Sequence, residues 1–199
     1  AVNNKGETTI RKITVKTNAN TIAIEKEYRY IKIQIAQLRE VPKDGAIDLI
    51  EWSFYNEQGN KFSYPSGTQI TSNLVGVTNE EINRLIDNNN STKYCSRGWG
   101  NSQNGNCTIK IDLGTNKINI EEYKYYNYCT NDCYANRDPI TWIVTLSNDD
   151  QEYVLADIRK NEDITTTRFT ETEKYLMDLT REKENSYNLI FNSNGGNNE

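Results

Sequence analysis

The sequence predicts an all-β protein, an antiparallel β-sandwich of the jelly-roll kind with one short helix. Three observations carry that prediction. Many short segments place β-branched and aromatic residues at alternate positions, polar turns rich in Asn, Asp and Gly separate them, and one stretch alone spaces its apolar residues for a helix. Nothing calls for a parallel sheet with crossover helices.

Taken in order, residues 10–17 and 21–24 read as strands on their β-branched pattern. Residues 28–35 alternate cleanly, with Ile31, Ile33 and Ile35 on one face and Lys32 and Gln34 on the other, as a half-buried strand requires. Pro42-Lys43-Asp44-Gly45 is a turn, because proline presets φ and glycine accepts the positive φ that follows. Residues 47–55 return as a strand, and Asn56-Glu57-Gln58-Gly59 closes it. Residues 78–86 open on a capping Thr78, with Glu81 three positions later and Ile82, Leu85 and Ile86 on one helical face. A loop from Cys95 to Cys107 follows, then strands at 108–113, 122–128, 141–146, 153–156, 175–179 and 187–191.

The organisation is an N-terminal extension over residues 1–27 with strand character, one domain over 28–191, and a polar tail over 192–199 with nothing to bury. The chain is 35% hydrophobic and 10% aromatic, with 13 tyrosines, which suits a folded domain with a thin core and a very polar surface. It has no histidine, so serine or cysteine triads and imidazole acid-base chemistry are excluded. A net charge of −5 with no long basic run argues against nucleic acid as a partner. No stretch approaches the roughly 20 apolar residues of a transmembrane segment.

Cys95 and Cys107 have eleven residues between them, and Cys129 and Cys133 have three. Local pairing, Cys95 with Cys107 and Cys129 with Cys133, is the favoured of three connectivities; closing the longer loop constrains the unfolded chain by about 3 kcal/mol in the entropic model. The competing reading is a zinc site of four thiolates, which lacks the usual C-x-x-C knuckles. Disulfides would place the protein in an oxidising compartment, secreted or on the cell surface. The glycosylation sequons at Asn89, Asn90 and Asn106 are compatible with that, although 28 asparagines make such triplets common by chance.

Several segments then match a known pattern. Residues 30–35 followed by 47–55 resemble the opening of discoidin-like domains, also called coagulation-factor C-type or galactose-binding-like domains. Leu85-Ile86-Asp87-Asn88-Asn89-Asn90-Ser91-Thr92-Lys93-Tyr94 is similar to their leu-ile-asp-gly-asn and ser-thr-lys-trp signature, with Asn88 for Gly and Tyr94 for Trp. Ile111-Asp112-Leu113-Gly114, Arg137-Asp138-Pro139 and Ser147-Asn148-Asp149-Asp150 resemble later motifs in the same order, so the resemblance covers residues 28–158. It implies an antiparallel jelly roll of about eight strands that recognises sugars, lipids or proteins outside the cell and is not an enzyme.

Asp87, Asn90 and Thr92 supply three hard oxygen ligands within six residues. The resemblance implies that this loop and Glu51 hold a structural Ca2+; the other reading is an Asx-type turn held by its own hydrogen bonds. For ligand binding the candidates lie on variable loops: Arg97, Trp99 and Asn101 between the first two cysteines, and Asn131, Asp132 and Tyr134 around the others. Trp99 between two glycines offers a flat face to a sugar ring, or else folds back as a small loop core. Trp52 and Trp142 sit in strand patterns and belong to the core, while Arg137 is expected to anchor its own loop. Adjacent carboxylates such as Glu121-Glu122 and Asp149-Asp150 point to opposite faces of a strand and cannot converge as a glycosidase pair. The expected function is a non-catalytic, lectin-like module that binds a glycan or glycoprotein; the alternative is an adhesion module of the same fold with a protein partner. Oligomeric state is not legible.

Overall fold

The computed structural model describes residues 26–40, 42, 44–99, 106–127 and 134–179. Residues 1–25 of the expected N-terminal extension, the strand at 187–191 and the tail lie outside the described residues. What is described is two antiparallel sheets. The strands are β1 (Tyr30–Leu38), β2 (Ala46–Tyr55), β3 (Gln69–Ser72), β4 (Tyr94–Arg97), β5 (Cys107–Asp112), β6 (Glu122–Asn127), β7 (Pro139–Ser147), β8 (Val154–Arg159) and β9 (Tyr175–Leu176). One sheet runs β3-β5-β1-β7-β8 and the other β4-β2-β6-β9.

The alternation in β1 positions the first sheet. Ile31, Ile33 and Ile35 are fully buried, and Ile31 and Ile33 lie opposite Ile111 and Ile109 of β5 and Leu146 and Val144 of β7. Each such side chain contributes roughly 1.5–3 kcal/mol on burial. Their faces meet an aromatic cluster from the second sheet. Trp52 stacks on Tyr123 and Tyr125 at 5.7 and 5.4 Å, and Trp142 meets it edge-on at 6.1 Å. Two of the polar tips are linked in series: the Trp142 indole N–H donates to the Tyr123 hydroxyl at 2.6 Å, which donates to Asp157 at 2.7 Å, whereas the Trp52 indole N–H is buried without a partner among the described residues.

The sheet margins are covered unequally. Beyond β4, Val77 N–H donates to the Cys95 carbonyl (2.8 Å) and Cys95 N–H to that of Glu80 (3.0 Å), so residues 76–80 line that edge. The predicted element over 78–86 is a 3-10 helix at Ile82–Ile86 with no side-chain cap: Thr78 lies within a turn closed by the Glu80 N–H on the Val77 carbonyl at 2.9 Å, and the Glu81 carboxylate accepts the Asn79 N–H at 2.8 Å. At the far side, Asp178 N–H donates to the Ala156 carbonyl at 2.9 Å and ties the chain after β9 to β8. No helix among the described residues is long and apolar enough to cross a membrane.

Candidate functional site

The site is prepared by a bulge in β2. Leu49 faces Asn127 of β6, yet Glu51 faces Tyr126, so Ile50 is an extra residue and the inward parity switches from Ile47 and Leu49 to Trp52 and Phe54. All ten residues of β2 are buried. Its outward face therefore carries two covered carboxylates, Asp48 and Glu51, each of which organises a different group of side chains.

Asp48 stands behind a polar cleft of about 390 Å³ lined by Asp44, Glu80, Lys93, Arg97, Tyr134 and Arg137, with Val77 and Cys95 completing the wall. One terminal nitrogen of Arg137 bonds Asp48 and the other reaches Asp44 at 2.5 Å. Lys93 Nζ lies 3.2 Å from Glu80 and 3.6 Å from Asp48. Local structure fixes these positions. Gly45, at φ +62°, closes the predicted turn through its N–H to the Pro42 carbonyl, and its own carbonyl accepts from Gly98 and Trp99 at 3.0 and 2.9 Å. That clamp holds the exit of β4, and Arg97 with it, beside the start of β2. On the other wall, the 3-10 helix Ala135–Arg137 sets Tyr134 and Arg137 three residues apart, where side chains eclipse, and the guanidinium lies 3.8 Å from the Tyr134 ring centroid. Burial and the carboxylate of Asp48 push the Cys95 thiol far above its ordinary range, so it is an inert wall residue rather than a nucleophile.

Glu51 meets the turn after Ile82–Ile86. Glu51 Oε1 accepts the Asn89 N–H at 3.0 Å, Asp87 Oδ1 accepts the same N–H at 2.9 Å, and Thr92 donates its hydroxyl to Asp87 Oδ2 at 2.8 Å. Asn88 takes the left-handed conformation at φ +58°, which asparagine tolerates, so the path available to glycine is kept. Glu51 Oε2 is buried without a hydrogen-bond partner. Burial pushes the Glu51 carboxyl up to about 7; Lys61 and the Asn89 N–H pull it down, and Asp87 adds to the rise.

Of the residues expected at the ligand site, Arg97 and Tyr134 come together on the cleft. Trp99 does not. It is 7% exposed and belongs to the buried core cluster, with its backbone N–H held by the Gly45 carbonyl. Asn101, Asn131 and Asp132 lie outside the described residues. Of the calcium candidates, Glu51, Asp87 and Thr92 share one hydrogen-bonded cluster, and Asn90 is an exposed residue of the same turn. The pairing of Cys95 with Cys107 is corrected: both are free thiols. They belong to different sheets, and Cys107 faces the Ser72 hydroxyl at 3.7 Å. Cys129 and Cys133 lie outside the described residues. Asp44, Asp48, Glu80 and Lys93 escaped sequence reasoning; an aspartate between Ile47 and Leu49 was the available signal, since a carboxylate within a buried strand needs a cationic partner.

No protein-family model matches the chain, and a search of curated proteins finds no match to it.

Proposed function

We propose that the chain is a non-catalytic carbohydrate-binding module, discoidin-like in type and displayed outside the cell, with the cleft between Arg97 and Tyr134 as its sugar site. The observation that carries this reading is the cleft's construction. Its polar groups are held before any ligand arrives, by the buried Asp48 beneath Arg137 and Lys93, and a tyrosine ring backed by a guanidinium stands at its side. Fixed donors and acceptors beside an aromatic ring suit a molecule that presents hydroxyls on its rim and C–H bonds on its face. Tyr134 takes the role that sequence reasoning gave jointly to Trp99 and Tyr134.

The reading includes a structural Ca2+ at the turn. The donor set suits a hard cation: a buried carboxylate oxygen on Glu51 without a partner, beside the Asp87 carboxylate and the Thr92 hydroxyl, with Asn90 on the same turn. Among the described residues no three or more His, Cys, Asp or Glu gather as a metal cluster, so backbone carbonyls would complete the coordination. The ion would neutralise Glu51 and bind the turn to β2. Its role would be structural.

A glycan array probed with wild type and with Tyr134→Ala tests the sugar reading. Selective binding by wild type, reduced at least tenfold by the substitution, is the expected result. Binding to no glycan overturns the function, and binding unchanged in Tyr134→Ala overturns the assignment to this cleft.

A further inference from the structure

The cleft's charges are not evenly spread. Lys93 and Arg137 each serve two carboxylates, with Asp48 shared between them and Glu80 and Asp44 on either side. Arg97 is different: it is exposed on the cleft wall, and its side chain forms no ion pair or hydrogen bond among the described residues. Three carboxylates thus share two cations toward Asp48, and among the described residues the third cation, exposed Arg97, takes no part in that pairing.

Resting on the carbohydrate-binding reading, we infer that the cleft selects sugars bearing a single carboxylate, such as a uronic or sialic acid, with that carboxylate on Arg97 and sugar hydroxyls donating to Asp44 and Glu80. The guanidinium fork matches a planar carboxylate in two parallel hydrogen bonds, a fit that an ammonium does not reproduce. Both acceptors remain reachable: the Asp44 side chain is 43% exposed and that of Glu80 30%. They also set the limit. A second acidic group placed toward Asp48 meets three carboxylates, whereas a neutral sugar covers Arg97 and strips its water without replacing the lost hydrogen bonds. Because the whole chain carries −5, long-range attraction does not help an anion, and discrimination falls on this one contact.

The experiment is calorimetric titration of wild type, Arg97→Gln and Arg97→Lys with a uronate- or sialate-terminated oligosaccharide, its methyl ester and a sulfated counterpart. Wild type should bind the free acid at least tenfold more tightly than the ester. Arg97→Gln should bind acid and ester equally at the ester's affinity, and Arg97→Lys should keep only part of the preference. Thermal melts establish that each variant is folded, as expected at an exposed position. Equal binding of acid and ester by wild type overturns the inference and leaves the carbohydrate reading standing, as does a preference untouched by Arg97→Gln. Preference for the sulfated sugar overturns the planar-carboxylate assignment. Binding to none of the three sugars, together with a blank glycan array, overturns the carbohydrate reading itself.

Discussion

Asp48 and Glu51 face the same side of β2 although three positions separate them, because the extra residue Ile50 switches the strand's parity between them. In an unbroken strand one of the two would point into the aromatic core. The bulge is therefore what lets a single strand support both the Arg97–Tyr134 cleft and the Asp87 turn.

The first prediction concerns the Asp48 end. Asp48 is 3% exposed and bonds Arg137, which is 7% exposed. Removing one member of such a pair leaves the other charge buried, at a cost of about 3–5 kcal/mol. In urea unfolding, Asp48→Ala should lose about that much and Asp44→Ala, whose side chain is far more exposed, under about 1 kcal/mol. Equal effects would mean that Asp48 is not the buried anchor.

The second concerns Glu51 and pH. Its folded pKa of about 7 lies above the ordinary value of 4.5, so the proton is held more tightly in the folded state. The resulting stability is complete below about pH 4.5 and is lost as pH rises through 7, up to about 3 kcal/mol in calcium-free buffer. Glu51→Gln keeps an acceptor for the Asn89 N–H and removes the charge, so its stability should lack this fall and exceed wild type at pH 8. Calcium should raise the melting temperature of wild type there and leave Glu51→Gln unmoved. Parallel pH profiles would contradict the burial of the carboxylate, and identical melts with calcium and with EGTA would contradict the ion.

The third concerns the Gly45 clamp. A Cβ at Gly45 would meet the Trp99 carbonyl at 2.9 Å, and the residue's φ of +62° disfavours any other side chain. Gly45→Ala should cost about 1–3 kcal/mol, and Trp99→Ala about 3–5 kcal/mol through the cavity it leaves. Chemical denaturation of the two variants measures both. A loss of under about 0.5 kcal/mol in Trp99→Ala would return that residue to the surface.

The fourth concerns the thiols. Burial raises Cys107 to about 11 and Cys95 further, so neither should be alkylated in native protein at pH 8. In denaturant without reductant both should react, as peptide mapping by mass would record. A Cys95–Cys107 crosslink in that map would overturn the free-thiol assignment.

The sequence made the central strands legible because their periodicity is complete: Ile31, Ile33 and Ile35 declare β1, and the aromatic and aliphatic run declares β2. β3 and β4 were not legible. Gln69–Ser72 has a single apolar residue, and Tyr94–Arg97 reads as loop until its pairing with β2 supplies the hydrogen bonds. The helix over 78–86 was overstated for a related reason: Val77 and Glu80 bond Cys95 of β4, which draws Thr78 into the turn between them and delays the helix to Ile82. At the site, the Asp87 turn was visible because the residues that hydrogen-bond within it, Asp87, Asn89 and Thr92, are neighbours in sequence. The cleft was not, because Asp48 meets Arg137 across 89 positions and Trp99 is buried by a carbonyl 54 residues earlier. Local pattern carries no information on such meetings.

The three tryptophans, at positions 52, 99 and 142, are all buried. Their emission should be blue-shifted in the native protein and move to the red in one transition on unfolding, which makes it a direct optical signal for every stability measurement above. The same burial keeps the indoles out of contact with anything bound between Arg97 and Tyr134. Occupancy of the cleft should leave the indole spectrum nearly unchanged, and a marked shift on adding sugar would report rearrangement of the sandwich, a different event from docking.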